Sequence, residues 1–198
     1  MSADDNQETF YRVLGRGVTR KLFAKTARGL GLSKHDTWKP TGKNEAYEEV
    51  WATPDKTSAI NYVEDPVSDL SYAHFRGADA DRLLTEFTRR LSTFWPEELI
   101  ERAYTMEEHD EQVENLYRLA ITFPEYNEEV FEIFEGVATQ AEQPALRLAA
   151  LDAMSYHRWP QSRAVVERLA REDKDEDVRN HAKNLLTLWD TPTPSRPA

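Results

Sequence analysis

Ser33, His35 and Asp36 fall within four residues in the stretch SKHD. In hydrolases these three side-chain types supply nucleophile, base and orienting acid, but such triads are assembled from distant segments around a buried carboxylate. A short polar stretch offers neither burial nor rigidity, so this spacing predicts no catalysis. EEHDE at 107–111 is the densest run of metal-binding residue types. Neighbours at a helix start point in different directions and acids there favour the dipole, so the run reads as a solvated cap. The five histidines, His35, His74, His109, His157 and His181, include no pair three or four residues apart, hence no helical metal-ligand pair. GRGVTRK at 15–21 is glycine-rich but lacks the P-loop spacing and a preceding strand. Glu128, Glu132 and Glu135 share a helix face opposite Val130, Ile133, Phe134 and Val137; acid–base work needs a cleft that separates their pKa values, and an outer face offers none. No catalytic residue, metal site or cofactor is expected.

These residues must be positioned by a chain of 198 residues, 39% of them hydrophobic, enough for a real core. The absence of cysteine removes disulfides, thiolate metal sites and thiol nucleophiles, and suits a reducing cytosol. The start, MSADDNQETF, is acidic where a secretory leader needs a basic and then an apolar run. No stretch approaches the roughly 20 apolar residues of a membrane span. A cytoplasmic address is expected. Net charge is -11 but uneven: residues 1–43 carry +5 and the remainder -16. An acidic body repels phosphate backbones, so nucleic acid is not expected as a partner.

Apolar spacing predicts a basic amphipathic helix in the first segment, with Phe10, Val13, Leu14, Val18, Leu22 and Phe23 on one stripe, interrupted near Gly15 and Gly17 and stopped at Gly29 to Gly31. That stripe needs cover, so docking on the chain itself is preferred to binding a membrane or nucleic acid. Residues 33–45 read as a polar linker. Val50 to Thr53, Ser58 to Val63 and Leu70 to Phe75 are β-branched and aromatic runs parted by turn residues, predicting a three-stranded meander. Trp51, Tyr62, Tyr72, His74 and Phe75 could face a ligand from such a sheet, although a packed sheet is the simpler reading. Amphipathic helices follow at 79–94, 96–106, 110–123, 127–140, 144–157, 161–171 and 176–189. The expected domains are 1–94, holding the basic helix, meander and capping helix; 95–190, all helical; and a loose tail, 191–198.

The helical half repeats. Val178-Arg179 is followed by Ala182 and Leu186; Leu146-Arg147 by Ala150 and Met154; and, more faintly, Val113-Glu114 by Tyr117 and Ile121. Aromatic–proline pairs, Trp95-Pro96, Phe123-Pro124 and Trp159-Pro160, precede the units, and proline fits a first helical turn. Over about residues 96–189 this pattern resembles the HEAT-repeat family of α-solenoids. The resemblance implies stacked helix pairs, a repeated arginine (Arg147, Arg179) paired with a turn carboxylate such as Asp173, and second helices lining a concave side. The expected fold is therefore α+β and predominantly α: a short HEAT-like helical-repeat solenoid preceded by a small three-stranded antiparallel sheet with flanking helices.

The function expected is that of a non-enzymatic protein-binding module, an acidic scaffold or adaptor for a partner with a basic surface, with Tyr117, Tyr156 and Arg158 as binding anchors because Tyr and Arg are enriched in hot spots. A narrower alternative is an immunity-type inhibitor of a basic toxin or nuclease. An alternative from another class is a HEAT-like nucleic-acid repair or lyase enzyme. Second helices such as DEQVENLYRL, which mix both signs and show no basic stripe, argue against a DNA-binding face.

Overall fold

In the computed structural model residues 9–191 are described, so the first eight residues and the proline-rich end beyond Thr191 lie outside the described residues. Phe10 does not begin a helix. It begins strand β1 (Phe10–Val13), and a four-residue apolar segment suits either conformation. The turn that follows decides between them. A Cβ on Gly15 would lie 2.4 Å from Ser92 Oγ, and Gly17 adopts φ +97°, so no helix passes through. Helix α1 (Arg20–Gly29) starts only after Thr19, whose hydroxyl accepts from the Leu22 amide.

The predicted linker contains a strand, β2 (Ser33–Trp38). Nearly every one of its residues is exposed, so it lacks the apolar alternation that marks a half-buried strand. The meander follows as β3 (Tyr47–Ala52), β4 (Ser58–Asp65) and β5 (Leu70–Gly77). All five strands pair antiparallel in the order β1-β5-β4-β3-β2. The expectation of a three-stranded sheet is thus corrected to five strands within an α+β chain. Both additional strands are edges, where the sequence pattern is weakest.

One face of the sheet carries Trp51, Ile60, Tyr62, Ala73 and Phe75, in register across β3, β4 and β5. Onto it pack Phe23 and Ala27 of α1 and Leu83, Leu84 and Phe87 of α2 (Ala80–Thr88). Phe23 lies 4.9 Å from Tyr62 and 5.2 Å from Phe87, and Phe87 meets Phe75 edge-on at 5.3 Å. Such offset aromatic pairs add to the burial of each ring.

The remaining helices are α3 (Pro96–Thr105), α4 (His109–Thr122), α5 (Glu128–Gln140), α6 (Pro144–Ser155), α7 (Pro160–Glu172) and α8 (Glu176–Asp190). The chain divides into two compact units, residues 1–98 and 99–198. Within the second, α5 packs on α6 and α7 on α8, while α4, α6 and α8 touch in sequence, as do α5 and α7. Two layers of stacked helices result. Pro96 and Pro160 each open a helix, but Phe123-Pro124 sits in the loop ahead of α5, whose cap is Asn127. Trp159 fills a seam between pairs, stacking on Phe134 at 6.0 Å and donating from Nε1 to the Pro124 carbonyl at 3.1 Å. Among the described residues no helix is long and apolar enough to cross a membrane.

Candidate functional site

The skeleton of the helical unit is a recurring contact at each turn. Arg147 Nη1 donates to the carbonyl of Ala141, six residues upstream, and Arg179 Nη1 donates to that of Asp173, again six upstream. Gln112 Nε2 donates to the carbonyl of Met106, also six upstream. The equivalent positions are therefore Gln112, Arg147 and Arg179. In the faintest copy the pattern is shifted by two residues from the alignment that put Glu114 opposite Arg147.

Between the last two pairs the turns are also cross-linked. Arg147 Nε and Nη2 each donate to one Asp173 carboxylate oxygen at 2.8 Å, and both side chains are almost fully buried. Burial pushes the Asp173 pKa up, but hydrogen bonds from Arg147 and the Asp175 amide more than offset this and hold it below the usual range. Asp173 caps the C-terminus of α7, as Ala141 does that of α5, with nearly the same backbone angles. The cross-link is present at this seam; at the preceding one Gln112 and Ala141 hold the equivalent positions.

Across α4, α6 and α8 runs a row of polar side chains. Tyr117 donates its hydroxyl to Asp152 Oδ2 at 3.0 Å, and His181 Nε2 reaches Asp152 Oδ1 at 2.7 Å. Asp152 lies in the second helix of its pair, between partners from the helices on either side. The hydrogen bond to Asp152 raises the His181 pKa, favouring an imidazolium, which donates from both nitrogens. The Tyr156 ring lies 6.2 Å from that of Tyr117. The structure therefore brings Tyr117 and Tyr156 together and adds Asp152 and His181, which the sequence reading missed. Arg158 does not join them; it is exposed in the turn between α6 and α7 with φ +49°.

This row is set in an acidic unit: residues 99–198 carry twenty Asp/Glu against eleven Lys/Arg. Exposed Asp110, Glu111, Glu176 and Asp177 occupy the first turns of α4 and α8, where the helix dipole favours them. No family model, curated protein or solved structure matches this chain. Its work has to be read from these side chains.

The first unit absorbs its polar motifs structurally. The glycine-rich segment becomes the turn and cap of α1, and Arg20 from it grips Glu64 with two hydrogen bonds while lying over the Tyr47 ring. Glu49, 6% exposed, accepts from Lys34, Tyr47 and Trp51, which outweigh burial and lower its pKa. Trp51, Tyr62 and Phe75 are buried in the core between sheet and helices; Tyr72 and His74 are partly buried on the opposite face of the sheet. Burial lowers the His74 pKa to about 4. The Ser33–Asp36 stretch lies in edge strand β2, where the register shifts between Lys34 and Asp36.

Proposed function

We propose that the chain is a non-enzymatic protein-binding module, built on HEAT-like helix pairs, that holds a partner with a basic surface. The observation that carries this reading is the Tyr117–Asp152–His181 row with Tyr156 beside it, spanning three consecutive second-layer helices of an acidic unit. Tyrosine gives large, stiff contact area with a polar tip, and Asp152, fixed from both sides, holds the row rigid. Recurring turn contacts at Gln112, Arg147 and Arg179 support the resemblance to HEAT repeats. The acid surplus suits steering of a cationic partner and disfavours nucleic acid. A cysteine-free chain suits the cytoplasm, where we place this activity.

Immobilised full-length chain and its Tyr156→Ala/Asp152→Ala variant are exposed to cell extract at low and high ionic strength. The reading expects one stoichiometric protein partner, released by salt and retained at least tenfold less by the variant. Equal retention by the variant, or retention of nucleic acid alone, refutes it.

A further inference from the structure

The sheet face turned away from α1 and α2 holds a recess of about 450 Å³. Its floor follows from the register: Ala52 stands opposite Ala59, and Ala59 opposite Arg76. Alternation puts these side chains, with Val50, on the face opposite Trp51 and Ile60. Two facing alanines on inner strands leave this surface low, where β-branched and aromatic residues would fill it.

Taller groups line the same recess. Arg76 comes from β5, Lys56 from the turn between β3 and β4, and His35 from β2, where the register shift leaves it without a paired residue. The Lys56 turn is fixed, since Asp55 accepts from Thr53 Oγ1 at 2.6 Å and from Thr57 Oγ1 at 3.0 Å. Lys56 itself sits at φ +60°, where glycine or asparagine is the cheaper residue, so the backbone does not account for a lysine there. The ionisable side chains lining the recess are all bases, in a chain of net charge -11. Elsewhere in the sheet unit Arg20 is paired with Glu64, Lys34 with Glu49, Arg82 with Asp79, and Arg89 and Arg90 with Glu86. His35, Lys56 and Arg76 are exposed and have no carboxylate partner among the described residues.

From this arrangement we infer a binding site for a small soluble phosphomonoester whose organic part is apolar. Arg76 offers the planar fork that matches two phosphate oxygens, and Lys56 a second positive charge for the dianion. Val50, Ala52 and Ala59 give the organic part an apolar seat. A cavity of about 150 Å³ holds benzene, so a phenyl ring and a phosphate group fit together. Charges farther than about 8 Å are screened at physiological salt. A ligand within the recess therefore responds to these cations, whereas an extended polyanion meets the acidic remainder of the chain.

The test titrates phenyl phosphate, at about pH 8 where it is a dianion, into isotopically labelled full-length chain. Saturable shifts of the Ala52, Ala59 and Arg76 amides are expected, with none from phenol and about tenfold weaker binding of inorganic phosphate, which lacks the ring. Lys56→Gln/Arg76→Gln should weaken binding about a hundredfold, at about tenfold for each charge-assisted bond. Lys21→Gln/Lys25→Gln, which removes the same charge from exposed positions on α1, should leave it unchanged. The proposal falls if phenyl phosphate gives no saturable shift, if phenol shifts the same amides equally, if inorganic phosphate binds as tightly, or if the two variants weaken binding alike. Sedimentation of the chain with phosphatidic-acid vesicles, competed by phenyl phosphate, would overturn the assignment to a soluble ligand.

Discussion

Removal of the Asp173 carboxylate by Asp173→Ala leaves Arg147 buried with only the carbonyls of Ala141 and Glu142 as acceptors. Breaking one side of a buried, bidentate pair costs about 3–5 kcal/mol, because the surviving charge is uncompensated. The same change also removes the acceptor for the Asp175 amide, adding a loss of about 1 kcal/mol. The expected destabilisation of the helical unit is therefore about 4–6 kcal/mol. Arg147→Met/Asp173→Ala removes the orphaned charge, so its loss should fall to about 1–2 kcal/mol, because an apolar replacement of a buried pair is often neutral. A chain with two compact units need not unfold in one step, so the assay is native-state hydrogen exchange at the α6 and α8 amides. A double variant as unstable as the single, or a single variant costing under about 1 kcal/mol, would show that the ionic cross-link does not hold the turns together.

Further expectations concern pH and backbone conformation. The His181 pKa is raised in the fold by Asp152, so its stabilisation is complete below the unfolded value near 6.5 and is lost as pH rises through the folded value; hydrogen exchange at α8 should quicken across that window, and Asp152→Asn should remove the pH dependence. Asp173 runs the other way: its folded pKa is lowered, so its contribution is present above about 3.9 and disappears as pH falls through the folded value, an acid sensitivity that Asp173→Ala should eliminate. Gly77→Ala should destabilise the sheet unit by about 1–3 kcal/mol, since Gly77 has φ +98° and a Cβ there would lie 2.1 Å from the Thr57 carbonyl oxygen; an unchanged denaturation midpoint, followed by Trp51 fluorescence, would contradict this.

Helices α3 to α8 were legible because each carries an apolar stripe longer than two turns, and Pro96 and Pro160 mark two starts. Strand β1 was not, because Phe10, Val13 and Leu14 satisfy helical and extended spacing alike, and the deciding contact, Gly15 against Ser92, joins residues far apart in sequence. Strand β2 carries almost no apolar residue; it is recruited by pairing with β3 rather than by burial. Within the candidate site, Tyr117 and Tyr156 followed from their places on second helices. Asp152 could have been found too. Counted from Gln112 and Arg147, Tyr117 and Asp152 each stand five residues on, a correspondence hidden while Glu114 was aligned with Arg147. His181 has no such counterpart, because the polar row crosses α8 at a different height.

The strand order has a consequence for how the chain is made. Phe10 pairs with Phe75, so β1 finds its neighbour only after β2, β3 and β4 have been synthesised. Closing so wide a loop is slow compared with forming the hairpins of the meander. A nascent chain halted before Leu70 should therefore expose β1 to protease, and one released past Gly77 should protect it. For that interval β1 lacks the strand with which it pairs.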